Sequence, residues 1–274
     1  MEDRLLDIVS AELKAGRKSA MAIITMIEGS SPRGEGSMMV IKGSGEIEGT
    51  IGGGAIERET IKRALECIND GASRHYDFLL TEKEKNLDMI CGGRAQVFIK
   101  VFVPDNRLLI AGGGHIALRL YEIAQIMGFN TVIFEDRQEF CSRERFPNAH
   151  ELVLGDIVEN LGGYPVDGNC YAVVVTRGHS QDEKALEALL GRGAAYIGMI
   201  GSRRKTAMVF NNLIGKGISR EELEKVYAPI GIDTGGETPE EIALGIMAEI
   251  VSVKHEAKIK HMRDLRPDIA TEPI

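Results

Sequence analysis

Apolar residues Leu5, Leu6, Ile8, Val9 and Leu13 recur at the spacing of one helical face, and Gly16 stands where a C-cap belongs. The pattern therefore predicts an opening helix. Met21–Ile27 is a β-like run, broken by the turn chemistry of Gly29-Ser30-Ser31-Pro32-Arg33-Gly34. Short strands are expected at Ser37–Lys42 and Glu46–Ile51, an amphipathic helix over Ile56–Ile68 ending near Gly71, and strands around His75–Leu80 and Ala95–Val103. This order has no regular alternation and predicts a mixed α+β domain.

Val103-Pro104-Asp105-Asn106 is a polar, proline-bearing break, and beyond it the pattern becomes regular. Strands are expected at Arg107–Ala111, Asn130–Phe134, Glu151–Leu154, Ala172–Val175 and Ala195–Ile200, with helices over Gly114–Met127, Lys184–Leu190 and Arg204–Ile214. Alternation of this kind predicts an α/β domain with a doubly wound parallel sheet. Thr238-Pro239-Glu240-Glu241 starts a last helix, with Thr238 as cap, Pro239 at the first helical position and Glu241 closing a capping box; it is expected to run to about Lys258. The domains are thus a smaller N-terminal one over residues 1–104, the α/β domain over 105–258, and a polar tail over 259–274.

Composition narrows the function classes. A formal net charge of -8 argues against a nucleic-acid groove, because phosphate binding there draws on clustered Lys and Arg. No apolar stretch approaches the roughly 20 residues of a membrane span, and residues 1–16 lack the apolar core of an export signal. Cys67, Cys91, Cys141 and Cys170 form no CxxC and no zinc spacing, so a reduced, cytoplasmic protein is expected. The 32 glycines cluster in runs, which marks places where backbone turns sharply or lies close to a ligand.

The sharpest run is Gly112-Gly113-Gly114-His115-Ile116-Ala117, between a predicted strand and a predicted helix. Gly112, Gly114 and Ala117 fit the G-x-G-x-x-G/A pattern of a dinucleotide loop, which seats phosphates on the free N–H groups of a helix start. Glu135 and Asp136 stand at the end of the next strand, where a ribose-binding acid belongs, Glu135 in the better register. Arg137 leaves NAD against NADP open. The plain alternative is a doubly wound domain whose glycine loop holds nothing.

Thr176-Arg177-Gly178-His179 follows another buried strand, at the sheet end where ligands bind. Arg177 suits an anion and His179 a proton transfer, while Asp182 caps the following helix in the plainer reading. Gly201-Ser202-Arg203-Arg204-Lys205 puts three cations in a first helical turn, against the helix dipole, so either an anion compensates them or they form a solvated patch. In the first domain Ser30, Ser31 and Arg33 suit a phosphate or carboxylate. Gly52-Gly53-Gly54 with Glu57 repeats the strand–glycine–helix pattern, or is simply a tight turn with an acid at the helix start. Cys91-Gly92-Gly93 offers a thiol to a closely approaching group or, more plainly, a small core residue. There is no metal-ligand cluster, no G-x-S-x-G and no Walker lysine.

Together and in this order, from about Leu5 to Val253, these motifs resemble the xanthine dehydrogenase accessory protein family, XdhC/CoxI. The resemblance implies an N-terminal XdhC/CoxI domain followed by a Rossmann domain. It further implies a cofactor-binding chaperone rather than a catalyst, one that binds the molybdenum cofactor in a molybdopterin form, supports its sulfuration and delivers it to an apo molybdenum hydroxylase of the xanthine dehydrogenase type. Cys91 would then contact molybdenum or relay sulfur from a cysteine desulfurase, and a homodimer is expected. The motifs and the resemblance together make Ser30, Ser31, Arg33, Gly53, Gly54, Glu57, Gly112, Gly113, Gly114, His115, Ala117, Glu135, Asp136, Arg137, Thr176, Arg177, Gly178, Gly201, Ser202 and Lys205 candidate cofactor contacts. One departure is Glu135-Asp136-Arg137, where the family commonly has Asp-Pro-Arg. The alternative class is an NAD(P)-dependent oxidoreductase with His179 as proton donor, or a sensor that binds NAD or another nucleotide without chemistry.

Overall fold

The computed structural model describes residues 2–29, 33–80 and 93–265, so Ser30, Ser31 and Cys91 lie outside the described residues. The chain divides into two compact units, Met1–Asp105 and Asn106–Ile274.

The first unit runs α1 (Glu2–Lys14), β1 (Ser19–Gly29), β2 (Met38–Lys42), β3 (Ile47–Gly49), α2 (Gly54–Asp70), β4 (Arg74–Leu80) and β5 (Gly93–Phe102). Its strands form one antiparallel sheet in the order β3-β2-β1-β5-β4. Side chains alternate along β1. Ala20, Ala22 and Ile24 face Ile56, Ala64 and Cys67 of α2, whereas Met21 faces Leu5 and Val9 of α1. Each large aliphatic residue so buried contributes about 1.5–3 kcal/mol. The alternation slips at Thr25. Ile24 pairs with Val97 but Met26 with Gln96, so Ile27 returns to the α2 face. At the far end of α2, Gly71 adopts a left-handed φ of 71° and returns its N–H to the last turn.

The second unit runs β6 (Arg107–Ala111), α3 (His115–Ile126), β7 (Asn130–Glu135), β8 (Glu151–Leu154), α4 (Ile157–Gly163), β9 (Cys170–Val174), α5 (His179–Leu189), β10 (Tyr196–Met199), α6 (Arg203–Gly215), α7 (Arg220–Leu223) and α8 (Pro239–Lys254). All five strands are parallel, in the order β10-β9-β6-β7-β8. Leu108 and Ile110 of β6 pack towards α3 and α8, while Leu109 and Ala111 face α4, α5 and α6. A sheet apolar on both faces and covered on both is the doubly wound arrangement the alternation predicts.

Three features differ from expectation. Helices α4 and α7 are additional; α4 is capped by Asp156, which accepts from the Glu159 N–H at 2.9 Å, and its short span ends in Gly162-Gly163, which masks the helical period. Helix α5 starts at His179 rather than Lys184, because Gly178 is its N-cap. Helix α8 stops at Lys254 rather than Lys258. There the Glu256 backbone turns left-handed at φ 50° and the Ala257 N–H folds back to the Ser252 carbonyl at 2.9 Å.

Candidate functional site

The strand order reverses between β6 and β9, so the connections after these two strands leave in opposite directions and open a crevice at the carboxyl end of the sheet. The glycine run after β6 lines it. Gly112 has a φ of 111°, and a Cβ there would lie 2.5 Å from the Val175 carbonyl oxygen at the end of β9. A Cβ on Gly113 would collide with the Phe140 carbonyl oxygen. Gly114 is different: it is the N-cap of α3, with an ordinary φ of -69° and nothing within 4 Å of an added Cβ. Its open side faces a cavity of about 340 Å³, bordered by Gly112, His115, Arg137, Arg177 and Pro239. The first N–H groups of α3 have no intrahelical acceptor, which makes this a place for an anion. Ala117 is buried and lets α3 pack closely against the sheet. The loop is held from behind by Arg145, whose Nε and Nη2 donate to the carbonyls of Gly113 and Gly114 at 2.9 and 3.0 Å.

Glu135, at the end of β7, is turned inward and only 2% exposed. Its Oε2 accepts from the Gly113 N–H at 2.7 Å and Arg137 Nη2 at 3.1 Å; its Oε1 accepts from Arg137 Nε at 2.9 Å and from the N–H groups of Asp136 and Arg137. Burial alone would raise its pKa, but the Arg137 guanidinium and the Gly113 N–H outweigh burial and hold the carboxyl at about 2. Arg137 is committed to this contact and lies over the Phe140 ring at 3.9 Å. Asp136 faces the other way. Its Oδ2 accepts from Arg177 Nη2 at 3.1 Å and Gln181 Nε2 at 3.3 Å. Its Oδ1 is buried without a hydrogen-bond partner among the described residues, 3.7 Å from Arg137 Nε.

The loop after β9 forms the other wall. Asp182 does not cap α5, as the sequence suggests; it lies one turn in, fully buried. Its Oδ1 accepts from the Thr176 hydroxyl at 2.6 Å and the Thr176 N–H at 3.0 Å, and its Oδ2 pairs with Lys205 Nζ. Lys205 also donates to the Ile200 carbonyl at 2.9 Å. Of the three cations at the start of α6, Lys205 is therefore compensated by an internal anion. Gly201 has to be small because the Lys205 stem passes over it, with Cδ 2.7 Å from an added Cβ. Ser202 caps α6 by accepting from the Lys205 N–H at 3.2 Å, and Arg203 and Arg204 remain exposed.

In the first unit Gly52, Gly53 and Gly54 all have positive φ (126°, 75° and 65°). Glu57 holds this turn with a single oxygen: Oε2 accepts from the Thr50 hydroxyl at 2.5 Å, the Ile51 N–H at 3.2 Å and the Gly53 N–H at 3.1 Å. Gly29 and Leu80 both pair with Gly93, so β1 and β4 finish, and β5 begins, at one end of the sheet. Arg33 is exposed. Among the described residues, Cys67, Cys141 and Cys170 are buried thiols, and no group of three or more His, Cys, Asp or Glu could hold a metal ion. No helix among them is long and apolar enough to cross a membrane.

Two family models match this chain, the XdhC Rossmann domain over residues 108–250 and the XdhC and CoxI family over residues 12–79. The chain belongs to the XdhC and CoxI family. It is 32% identical over 243 residues to YqeB of Escherichia coli, an uncharacterized protein, covering 87% of this chain and 44% of YqeB. It is 27% identical over 158 residues to a probable subunit of xanthine dehydrogenase from Bacillus subtilis, covering 58% and 46% of the two chains. The chain thus spans less than half the length of these two relatives. Similarity to the molybdenum cofactor insertion chaperone PaoD of Escherichia coli is weaker, 21% over 271 residues, but covers 88% of this chain and 85% of PaoD. A crystal structure of a xanthine dehydrogenase from Bacillus halodurans shares the fold, with a TM-score of 0.52 and 20% identity over 93% of this chain and 96% of that one.

Within the XdhC Rossmann domain, the loops carrying Gly112–His115, Glu135–Arg137 and Thr176–Gly178 meet around one crevice. Lys205 is drawn beneath it by Asp182. Sequence reasoning missed Arg145, which carries no local signal because its acceptors lie 31 and 32 residues away. It also missed that Pro239, read only as a helix start, borders the cavity.

Proposed function

We propose that this chain is an accessory maturation factor that binds the molybdenum cofactor as cargo, supports its sulfuration and delivers it to a molybdenum hydroxylase of the xanthine dehydrogenase type. The observation that carries this reading is the crevice of the Rossmann domain: a helix start with open backbone at Gly114, beside the Arg177 guanidinium. A molybdopterin carries a phosphate, and that is the group such a helix start receives. The similarity to PaoD, which extends over both units, supports insertion of the cofactor as the purpose of binding it. Cys91, with Ser30, Ser31 and Arg33, is the candidate for contacting molybdenum or relaying sulfur from a cysteine desulfurase. A homodimer is the proposed assembly.

The test is calorimetry of the purified chain, separately with a molybdopterin-type cofactor and with NAD(P)H. Binding of the cofactor, weakened by Arg177→Gln, is the expected result. Binding of NAD(P)H alone would replace this reading with the oxidoreductase or sensor.

A further inference from the structure

Resting on the reading that the Gly112 crevice takes a phosphate-bearing ligand, we propose that Asp136 and Arg177 form a latch across its mouth, which the ligand's phosphate opens by taking Arg177 away from Asp136. The geometry sets the two residues on opposite sides of the central strand: Asp136 follows β7 and Arg177 follows β9, while the glycine loop of β6 lies between. Their 3.1 Å contact therefore spans the position a bound phosphate would approach, and Arg177 borders the cavity.

Both mounts are fixed and only the side chain is free. On one side Thr176 is tied by two bonds to the buried Asp182, and Gly178 is already the cap of α5. On the other, the N–H groups of Asp136 and Arg137 are fastened to Glu135. Between these anchors the Arg177 side chain is 57% exposed and can change partner without moving its loop. Arg137 is less free to do so, because its Nε and Nη2 both donate to Glu135 and leave only Nη1 without a bond to that carboxylate. Asp136 in turn has a second oxygen, Oδ1, buried and without a hydrogen bond among the described residues, so this carboxylate is incompletely satisfied where it stands. Arg177 has a carboxylate as partner before binding and a phosphate after it, and the carboxylate competes with the ligand.

The sign of the effect distinguishes a latch from an acid that binds the ligand. An exposed ion pair of this kind is weak, so freeing Arg177 by Asp136→Asn is expected to tighten inorganic pyrophosphate by about two- to fivefold. Titration calorimetry of the full chain, its Asp136→Asn and Arg177→Gln variants and the double variant measures this. The gain must vanish in the Arg177→Gln background, since the latch acts only through that guanidinium. A gain that persists there would make Asp136 a distant repulsive charge and overturn the latch. Unchanged or weaker binding by Asp136→Asn would overturn it as well. Absence of pyrophosphate binding in all four proteins would instead overturn the phosphate reading of the crevice, and the latch with it.

Discussion

The chain contains two triple-glycine runs in the same setting, strand before and helix after, and they do different things. In Gly52-Gly53-Gly54 all three residues have positive φ, and the acid that fills the turn comes from the helix's own first turn, Glu57. The turn is closed upon itself. In Gly112-Gly113-Gly114 only Gly112 has positive φ, and the acid comes from the neighbouring strand, where Glu135 takes a single backbone donor of the run, that of Gly113. The helix start is left over. Identical glycines thus answer three separate demands: backbone conformation at Gly53, close approach at Gly113, and open space at Gly114. What decides whether such a loop serves itself or a ligand is the origin of its acid.

The comparison breaks hardest at Gly113. A methyl group there meets the Phe140 carbonyl, which is backbone and cannot swing aside, so Gly113→Ala is expected to destabilise the second unit by about 3 kcal/mol. Denaturant unfolding measures it, and a loss under about 1 kcal/mol would mean that the 138–140 turn yields easily. Next in size is the pH response of Glu135. Its folded pKa is depressed to about 2, so the stability it contributes is complete above the ordinary carboxylate value of 4.5 and is lost as pH falls from there towards 2. The loss is roughly 3 kcal/mol. The stability difference between the wild type and Glu135→Gln should therefore shrink over that window, and a constant difference would contradict the assignment. Gly53→Ala comes third. Nothing lies within 4 Å of the added atom, so only the backbone at φ 75° and ψ -170°, a region essentially confined to glycine, resists it, at about 1–2 kcal/mol. Gly53→Asn should cost about as much, because the asparagine tolerance of positive φ is confined to ψ values of about +45°.

Much of this was legible because it is local. The Thr238–Glu241 capping box forms as its four residues suggest, and the alternation of strand and helix after Asn106 gives a doubly wound sheet. The position of the crevice follows from Gly112, Gly114 and Ala117 together with the strand that precedes them. What escaped the sequence depends on partners distant along the chain. The Asp182 side chain looks like a cap until Lys205, 23 residues on, is seen to turn back to it. Arg145 looks like loop surface until the Gly113 and Gly114 carbonyls come into its reach. Register favours Glu135 over Asp136 as the ligand-facing acid, but the sequence does not show that Glu135 turns inward onto Gly113 while Asp136 meets Arg177. The Thr25 bulge is equally invisible, because Ile27 fits either face until its pairing is known.

The smallest expected effect on stability sharpens the comparison most. Gly114 has a φ of -69° that any residue adopts, and an added Cβ meets nothing within 4 Å, so folding gives no reason for glycine there. Gly114→Ala should leave stability within about 0.5 kcal/mol of the wild type. A ligand phosphate approaching the start of α3 would meet that methyl group. Loss of one backbone hydrogen bond to a charged group, about 1.5 kcal/mol, corresponds to about tenfold weaker binding of pyrophosphate. Unfolding and calorimetry on the same variant separate the two demands. A stability loss equal to that of Gly53→Ala would make Gly114 a structural glycine like those of the first run. Unchanged stability with unchanged affinity would move the ligand away from the α3 start. Unchanged stability with weakened binding is the result expected of a glycine kept small for something outside the protein.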